Sequence, residues 1–476
     1  MTRRSAVSTL VWLTALAGCA VGPNYRPPTP PAGAVAPLVS VNPATESVIQ
    51  PPDHWWRLYD DAELDRLVQQ AFTANADLAV AQANLSVARA SLEAARNGQY
   101  PQTTTELGGI YGRDATADEI LEFGGHAPQT LWLFDDILDV SYELDLFGHV
   151  RRQVEAAHAD AEAAIAARDA VKITVAAETT RAYVQICALG EQLAVARHSL
   201  DIVSHEAEIT RQRHDAGAGS EFDVVRTEEL VAQTRSAIPP LAGQRRAAVF
   251  QLAAMLGRTP AQAPSEAQAC VSPPRLANLI PVGDGVGLLK RRPDVRLADR
   301  RLAAATARIG VATAELYPRI SLTGLYGGAS ADISGLIAER GLTWGVGPSI
   351  SWSFPNMAGP VARVHSAKAA AAGALAGFDS TVLQALKETE QALTTYGAEL
   401  DHRQALADAQ AKAQQALDMA HGQYVAGSLS TLDLLTSEQA LVAADAAVAA
   451  SDSALAQDQI AVFKALGGGW RNGGAG

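Results

Sequence analysis

The chain has 476 residues, of which 48% are apolar and 19% charged, so its composition excludes a disordered chain and indicates folded structure with ample core material. Its formal net charge of -13 argues against a nucleic-acid partner, because phosphate binding needs a basic stripe that this chain lacks. Aromatic residues make up only 5%, and long tracts are rich in helix-favouring residues, so we expect helix to dominate.

Residues 1–18 have the features of a secretory signal peptide. Two arginines precede an apolar stretch too short to span a bilayer permanently, and small residues lead into Leu16-Ala17-Gly18-Cys19. This tetrapeptide resembles the bacterial lipobox, in which cleavage before the cysteine leaves that cysteine to receive acyl chains. We therefore expect Cys19 to be lipidated and to anchor the chain in outer-membrane lipid. An ordinary signal peptide with an incidental cysteine is the alternative.

Residues 19–60 are expected to form a lipid-anchored, Pro-rich leader. The sequence from Cys19 to Pro28, C-A-V-G-P-N-Y-R-P-P, is too rich in proline to be helical. By residue chemistry it is an acylated cysteine on an extended tether. It also resembles the mature start of outer-membrane efflux lipoproteins of the OprM and NodT type.

The remainder of the chain contains an internal duplication. The matching segments are Asn75–Leu78 with Arg292–Val295 and Tyr100-Pro101 with Tyr317-Pro318, at an offset of 217 (292 - 75), and Ala216-Gly217 with Ala426-Gly427 and Phe222-Asp223 with Leu432-Asp433, at an offset of 210 (427 - 217). Both halves carry the same elements in the same order. The expected divisions are repeat 1 over residues 61–257, a linker over 258–283, repeat 2 over 284–466 and a flexible tail over 467–476.

Within each repeat the hydrophobic periodicity changes in a fixed order. For repeat 1 it predicts a helix over residues 61–99, a strand–turn–strand region over 101–147, a helix over 150–214 and a helix over 221–256 that stops at Gly257. For repeat 2 it predicts a helix over residues 294–316, strands over 318–330 and 341–354, and helices over 360–424 and 430–466. Glycine-rich sequences at Gly217 and Gly427 end the long helices.

The two longest predicted helices set the expected scale. A helix of roughly 65 residues is about 100 Å long, so such helices must pack side by side. Their Ala-rich faces allow the close approach of a coiled coil. By itself this part would equally fit a lipid-tethered coiled-coil scaffold without a pore.

The predicted strands have the two-residue periodicity of a transmembrane barrel. Apolar residues alternate with small polar ones: Leu342, Trp344, Val346, Ile350, Trp352 and Phe354 against Thr343, Gly345, Gly347, Ser349, Ser351 and Ser353. The segment 138–146 does likewise, with Leu138, Val140, Tyr142, Leu144 and Leu146 against Asp139, Ser141, Glu143 and Asp145. Because four strands cannot close a barrel and open edges are not tolerated in hydrocarbon, several chains must combine.

The lipobox, the duplicated helix–strand–strand–helix–helix unit and the glycine turns together resemble the TolC and OprM family of outer-membrane channels. The resemblance implies a mostly α fold with a transmembrane β part: a homotrimer with a twelve-stranded barrel, four strands per chain, continued by a long periplasmic α-helical barrel. It implies passive conduction of drugs or other small molecules within a tripartite, RND-type efflux system, with a periplasmic adaptor and an inner-membrane transporter as partners. The substrate is not specified.

The sequence offers no candidate for catalysis or for a cofactor. It contains no HExxH sequence, no Walker loop and no nucleophile elbow. We therefore expect no catalytic residue, no metal and no cofactor. A periplasmic lipoprotein enzyme is the remaining alternative from a different class.

The resemblance also implies a periplasmic gate at the glycine turns, about 100 Å from the strands by the helical rise. Leu432, Asp433 and Thr436 occupy the matching positions, and Asp223 is the counterpart in repeat 1. Thr436 is a departure, because related channels often carry an aspartate there, which weakens an inner acidic ring. The alternative is that both aspartates only favour the first turn of a helix through its macrodipole.

Cys187 and Cys270 show no metal-ligand spacing. Cys187 lies in an apolar helical setting and Cys270 in a Pro-rich connector, so two unpaired thiols are the favoured interpretation. A bridge between them is the alternative outside the cytosol.

Overall fold

The computed structural model describes residues 20–42, 46–47, 49–112, 130–276, 279–336, 338 and 341–468. Helices dominate these residues, as the composition predicts. In chain order the elements are β1 Glu46–Ser47, α1 Ala62–Ala74, α2 Ala76–Asn97, β2 Gln102–Gly112, β3 Leu131–Glu143, α3 His149–Asp215, α4 Glu221–Ser236, α5 Ile238–Met255, β4 Ile280–Pro281, α6 Gly285–Arg291, α7 Pro293–Ala314, β5 Arg319–Ser330, α8 Ile333–Leu336, β6 Leu342–Ser351, α9 Ala358–Val425 and α10 Thr431–Ala465.

The two long helices are confirmed almost to the residue. α3 contains 67 residues and α9 contains 68, so each is about 100 Å long at the usual helical rise. Each ends two residues before a glycine with positive φ, Gly217 at 75° and Gly427 at 72°. Glycine adopts this left-handed backbone conformation with little steric strain, and a residue in this conformation ends the helix.

The expectation of one helix over residues 61–99 is wrong, because the chain breaks at Asn75 between α1 and α2. Asn75 is extended (ψ 129°), and its side-chain oxygen accepts a hydrogen bond from the Leu78 backbone nitrogen at 3.1 Å. Its side-chain nitrogen donates to the Met255 carbonyl at 3.1 Å. A side chain that satisfies the first turn of a new helix competes with helix continuation.

The expected helix over residues 221–256 is also divided, into α4 and α5. The break lies at Ala237, just before Pro239 and Pro240. Proline has no backbone N–H to donate, so it is accommodated in the first turn of α5 and not in the interior of a longer helix.

The strands β2, β3, β5 and β6 form one antiparallel sheet in that order. β3 ends at Glu143, so the prediction of a strand over residues 138–146 extends three residues too far. Leu144 and Leu146 follow the strand. β6 ends at Ser351, three residues before the predicted end.

The chain divides into two compact units. The first, here the sheet unit, consists of the described residues within 20–28, 85–164 and 298–378, and holds the four-stranded sheet. The second, the core unit, consists of the described residues within 29–84, 165–297 and 379–468.

The core unit has an aromatic centre supplied by the leader. Trp55 and Trp56 are fully buried, and Trp55 stacks on Phe463 of α10 with ring centroids 4.8 Å apart. The leader also pairs with the linker, because Glu46 of β1 lies opposite Ile280 of β4 in a parallel bridge. The leader is therefore part of the folded core and not only a tether.

Cys187 and Cys270 form a disulfide, with the Sγ atoms 2.08 Å apart and the Cα atoms 4.8 Å apart, so the favoured expectation of two unpaired thiols is wrong. Arg245 brings the linker to α3: its guanidinium donates to the carbonyls of Ile186, Gln268 and Cys270. The linker lies along α3 at the buried Cys187. The spacing of the cysteines in the sequence could not predict this contact, because it depends on the tertiary structure.

Candidate functional site

The sheet has two chemically different faces. Its register places the predicted apolar residues that fall within the strands on one face, namely Leu138, Val140, Tyr142, Leu342, Trp344, Val346 and Ile350, whereas Leu144, Leu146, Trp352 and Phe354 lie beyond the strand ends. This apolar face includes Leu107, Tyr111, Trp132, Phe134, Leu138, Val140, Tyr142, Ile320, Leu322, Tyr326, Leu342, Trp344, Val346 and Ile350. The opposite, mainly polar face includes Gln102, Thr104, Glu106, Asp135, Asp139, Ser141, Glu143, Arg319, Ser321, Thr323, Thr343, Ser349 and Ser351. Exceptions occur on both faces: Ile110, Leu133, Ile137 and Leu325 lie on the polar one, and Thr103, Thr105 and Asp136 on the apolar one.

The apolar face is left uncovered by the single chain. Trp344, Val346 and Ile350 are 71%, 70% and 68% exposed. A contiguous apolar surface of this kind is stable in water only when something covers it. Aromatic rings contact one another on this face near the end of the sheet where β3 begins: Trp132 stacks on Phe134, and Tyr111 packs tilted against Trp132. Such rings are typical of the level where a bilayer meets water.

The sheet has two open edges. β2 pairs only with β3, and β6 only with β5, among the residues that the structure describes. Open edges carry unpaired backbone N–H and C=O groups, which invite pairing with another chain.

The N-terminal segment is clamped beside the junction of β3 and α3. Cys19, the predicted lipid-bearing residue, lies outside the described residues. Just after it, the Val21 backbone nitrogen donates to the Phe147 carbonyl at 3.0 Å. The guanidinium of Arg152, itself buried, donates to the carbonyls of Val21 and Gly22 at 3.2 and 3.3 Å, and to the Asn24 side chain at 2.7 Å.

Two further contacts hold this segment. Gly22 has φ 89°, and a Cβ at this position would lie 2.5 Å from the Gly310 Cα atom, so only glycine fits. The Tyr25 hydroxyl hydrogen-bonds Asp299, and Arg300 lies over its ring at 5.6 Å. Burial, followed by the Asp299 hydrogen bond, raises the pKa of Tyr25, so the hydroxyl stays a proton donor.

The two glycine turns have the same construction. Ser220 and Ser430 cap the helices that follow, and each hydroxyl accepts from the backbone nitrogen three residues on, at 3.2 Å. The same hydroxyls contact the carboxylates of Asp223 and Asp433 at 2.7 and 2.6 Å. Both predicted gate aspartates therefore accept a hydrogen bond from the serine that caps their own helix.

The other predicted gate residues stand on the first turns of α10. Leu432 is 46% exposed. Thr436 is exposed as well, and its hydroxyl donates to the Leu432 carbonyl at 2.8 Å. Among the four, Asp223 and Leu432 line one cleft of about 390 Å³ between the two turns, whereas Thr436 and Asp433 are not part of its lining.

Sequence reasoning missed two residues that join the turns. Arg213 near the end of α3 donates to the Tyr424 hydroxyl near the end of α9, and its guanidinium lies 4.9 Å from the ring centre. The available signal was an arginine and a tyrosine placed four and three residues before the turn glycines. Within the described part of the chain, no group of three or more His, Cys, Asp or Glu residues is arranged to hold a metal ion.

Comparison with known proteins gives the same assignment for both halves of the chain. Residues 67–258 and 286–468 each match the family described as outer membrane efflux protein. The chain belongs to this family. Among curated members, it is 30% identical to Nodulation protein T of Rhizobium leguminosarum bv. trifolii, over 96% of this chain and 95% of that protein. It is also 30% identical to the outer membrane protein OprJ of Pseudomonas aeruginosa, over 98% and 96%.

Solved structures of outer-membrane channels have the same fold. The outer-membrane channel OprN superposes with a TM-score of 0.84 at 33% identity, covering 95% of this chain and all of that one. The open state of the MtrE outer membrane channel of Neisseria gonorrhoeae superposes at 0.82 with 26% identity, over 95% and 99%. The predicted family, fold class and outer-membrane location are thereby confirmed, and this family member is an outer-membrane efflux channel.

Proposed function

We propose that the protein is the outer-membrane conduit of a tripartite, RND-type efflux system, that it acts as a homotrimer, and that it catalyses no reaction. It passes drugs or other small molecules passively from a periplasmic adaptor and an inner-membrane transporter to the cell exterior. The observation that carries this proposal is the four-stranded sheet, which has one apolar face, one polar face and two open edges.

Three chains of four strands supply twelve strands, an even number within the range of closed bacterial barrels. Pairing β2 of one chain with β6 of the next satisfies both edges and leaves no open strand in hydrocarbon. The helix Ala358–Val425 supports association as well. It is apolar enough over one stretch to pass as a membrane span, yet only 22% of that stretch is buried within the chain. Neighbouring chains in the helical barrel would cover this surface.

We further propose that Cys19 carries the acyl chains. The contacts of residues 20–25 support this, because Arg152 and Tyr25 fasten the segment where β3 passes into α3. A barrel strand ends at the membrane surface, so an anchor attached one residue before Ala20 would reach the lipid without unfolding the leader.

The gate is also a proposal. Leu432, Asp433 and Thr436 stand exposed at the start of α10, with Asp223 at the matching place in α4. Threefold symmetry would bring three copies of each near one axis, where carboxylates favour cations and repel anions. The capping hydrogen bonds fix the direction of each aspartate, which suits both roles. The contact of Arg213 with Tyr424 would hold the two turns together in the closed state.

The domain division proposed for the chain follows its duplication: signal peptide 1–18, leader 19–60, repeats 61–257 and 284–466 about a linker, and a tail. Relatives carry names as different as pyoverdine export protein OpmQ of Pseudomonas putida and toluene efflux protein TtgF of the same species. We propose that selectivity lies in the inner-membrane partner and that this chain is a general conduit.

Single-channel recording of the purified protein in planar bilayers tests the proposal. The expected result is discrete conductance steps from a species with the mass of three chains. A preparation that is folded and inserted but gives no discrete steps would instead indicate a scaffold without a pore.

A further inference from the structure

One stripe of α10 carries polar side chains at intervals of seven residues, namely Glu438, Asp445, Asp452 and Gln459. This spacing keeps side chains on one side of a helix that packs in a coiled coil. Three of the four have partners: Asp445 accepts from Gln410, Asp452 from Arg403 and Arg275, and Gln459 from the Tyr59 hydroxyl. The fourth, nearest the second glycine turn, does not follow this pattern.

Glu438 is only 6% exposed, and one of its carboxylate oxygens is buried without a hydrogen-bond partner among the described residues. Facing it on α3 is Glu206, which likewise has a buried oxygen without a partner there. The Thr210 hydroxyl, one turn further along α3, is also buried without a hydrogen-bond partner among the described residues. Burying carboxylates in this way is costly unless a proton or a cation neutralises them.

Among the described residues that line the cavity beside Glu438, none is a lysine or an arginine that could neutralise it. Burial, followed by repulsion from Glu206, raises the pKa of Glu438 to about 7. The other titratable groups that line the adjoining cavity of about 570 Å³ are Asp201 and His205 on α3, and Asp418 and His421 on α9. From α4, Leu230 joins the neighbouring apolar cluster with Leu435 of α10.

The first repeat has a positively charged partner for the glutamate at the matching position. Glu228 of α4 is the counterpart of Glu438 (438 - 228 = 210), and it forms an ion pair with Arg211 of α3. The counterpart of Arg211 in the second repeat is His421 (421 - 211 = 210). An arginine is always charged. The second repeat therefore lacks, at this position, the permanent cation that pairs with the glutamate of the first repeat.

We propose that Glu206 and Glu438 form a proton-operated latch between α3 and α10, near the second glycine turn. When protons are bound, the two carboxyl groups are not both charged, so the helices stay packed. When the protons leave, two carboxylates face each other across the seam and the first turns of α10 loosen.

The direction of the pH dependence follows from proton binding. A glutamate whose pKa is raised by packing binds more protons in the packed state than in the open one. Packing is therefore fully stable below the ordinary carboxyl range, and it weakens as pH rises toward about 7, the raised pKa of Glu438. The consequence for conduction rests on the proposed gate, because Leu432 and Asp433 move with the start of α10.

Hydrogen–deuterium exchange of the purified full chain tests the latch, with rates over residues 431–442 corrected for intrinsic chemical exchange. In the wild type, we expect protection of this segment to fall by about tenfold or more between about pH 5.5 and about pH 8. Glu438→Gln cannot ionise and should keep the segment protected throughout. His421→Arg, which restores the cation of the first repeat, should also stay protected at the higher pH. Glu228→Gln is the matched control and should retain the wild-type dependence.

A wild-type profile that is flat with pH, or a Glu438→Gln profile that falls like the wild type, would overturn the latch. Conductance measured over the same pH range separates the latch from the gate. A pH-dependent loss of protection with constant conductance would support the latch and contradict the proposed gate, since the helix would then loosen without widening the path.

Discussion

Placing arginine on the apolar face of β6 should prevent barrel assembly, whereas arginine on the polar face should not. Val346 lies at the middle of the strand, opposite Gly324 of β5, and is 70% exposed in the single chain. An arginine at the bilayer midplane costs about 2–4 kcal/mol, against about 0–1 kcal/mol near the interface. With one copy per chain, a trimer would lose about 6–12 kcal/mol of stability. The folding equilibrium constant of each chain would fall by about 30-fold to 1000-fold.

Three variants on the same strand make the comparison. Val346→Arg tests the midplane, Ile350→Arg the same face near the strand end, and Ser349→Arg the opposite face. Heat-resistant trimer on gels and urea unfolding in lipid vesicles are the measurements. We expect the greatest loss for Val346→Arg, a smaller one for Ile350→Arg, and almost none for Ser349→Arg. Equal losses from Val346→Arg and Ser349→Arg would show that the two faces do not meet different surroundings.

Three further predictions concern the anchor, the gate and the disulfide. Cys19→Ser should abolish incorporation of labelled fatty acid while discrete conductance persists; undiminished labelling would refute the anchor. Alanine at both Leu432 and Asp433 should raise conductance and reduce cation selectivity, whereas Asp433→Asn, which keeps the contact with Ser430, should reduce selectivity alone; wild-type conductance and selectivity in both would restrict these residues to capping. Cys270→Ser should destabilise the folded chain by about 2–5 kcal/mol, measured as a lower Tm by circular dichroism. Reduction should lower the Tm of the wild type but not of this variant, and equal Tm values for both proteins would contradict a stabilising bridge.

Hydrophobic periodicity was sufficient for the elements whose burial repeats regularly. The long helices α3 and α9 and the alternation along β6 are local patterns, because every turn or residue pair repeats the same demand. The helix breaks at Asn75 and Ala237 were missed for different reasons. The break at Asn75 depends on a hydrogen bond to the distant Met255 carbonyl. The break at Ala237 has a local signal in the sequence, the two prolines that follow it.

The disulfide and the contact between Arg213 and Tyr424 could not be predicted in the same way. Each joins residues that are far apart in the sequence, separated by 83 positions in the first case and 211 in the second. Which residues meet depends on how the linker and the helices lie beside one another, and no periodicity encodes that. The gate residues are predicted by resemblance, and the structure adds that both aspartate carboxylates accept hydrogen bonds from the capping serines.

The open edges of the sheet have a genetic consequence. With three chains per barrel, as proposed, every chain must pair an intact β2 with one neighbour and an intact β6 with the other. A variant chain whose β6 cannot pair would still have a normal β2. It would therefore associate with normal chains, but the resulting barrel could not close. In a cell that makes both versions equally, only about one barrel in eight would contain three sound chains. A damaged edge strand should therefore be dominant over the normal gene, whereas a deletion of the whole chain should be recessive.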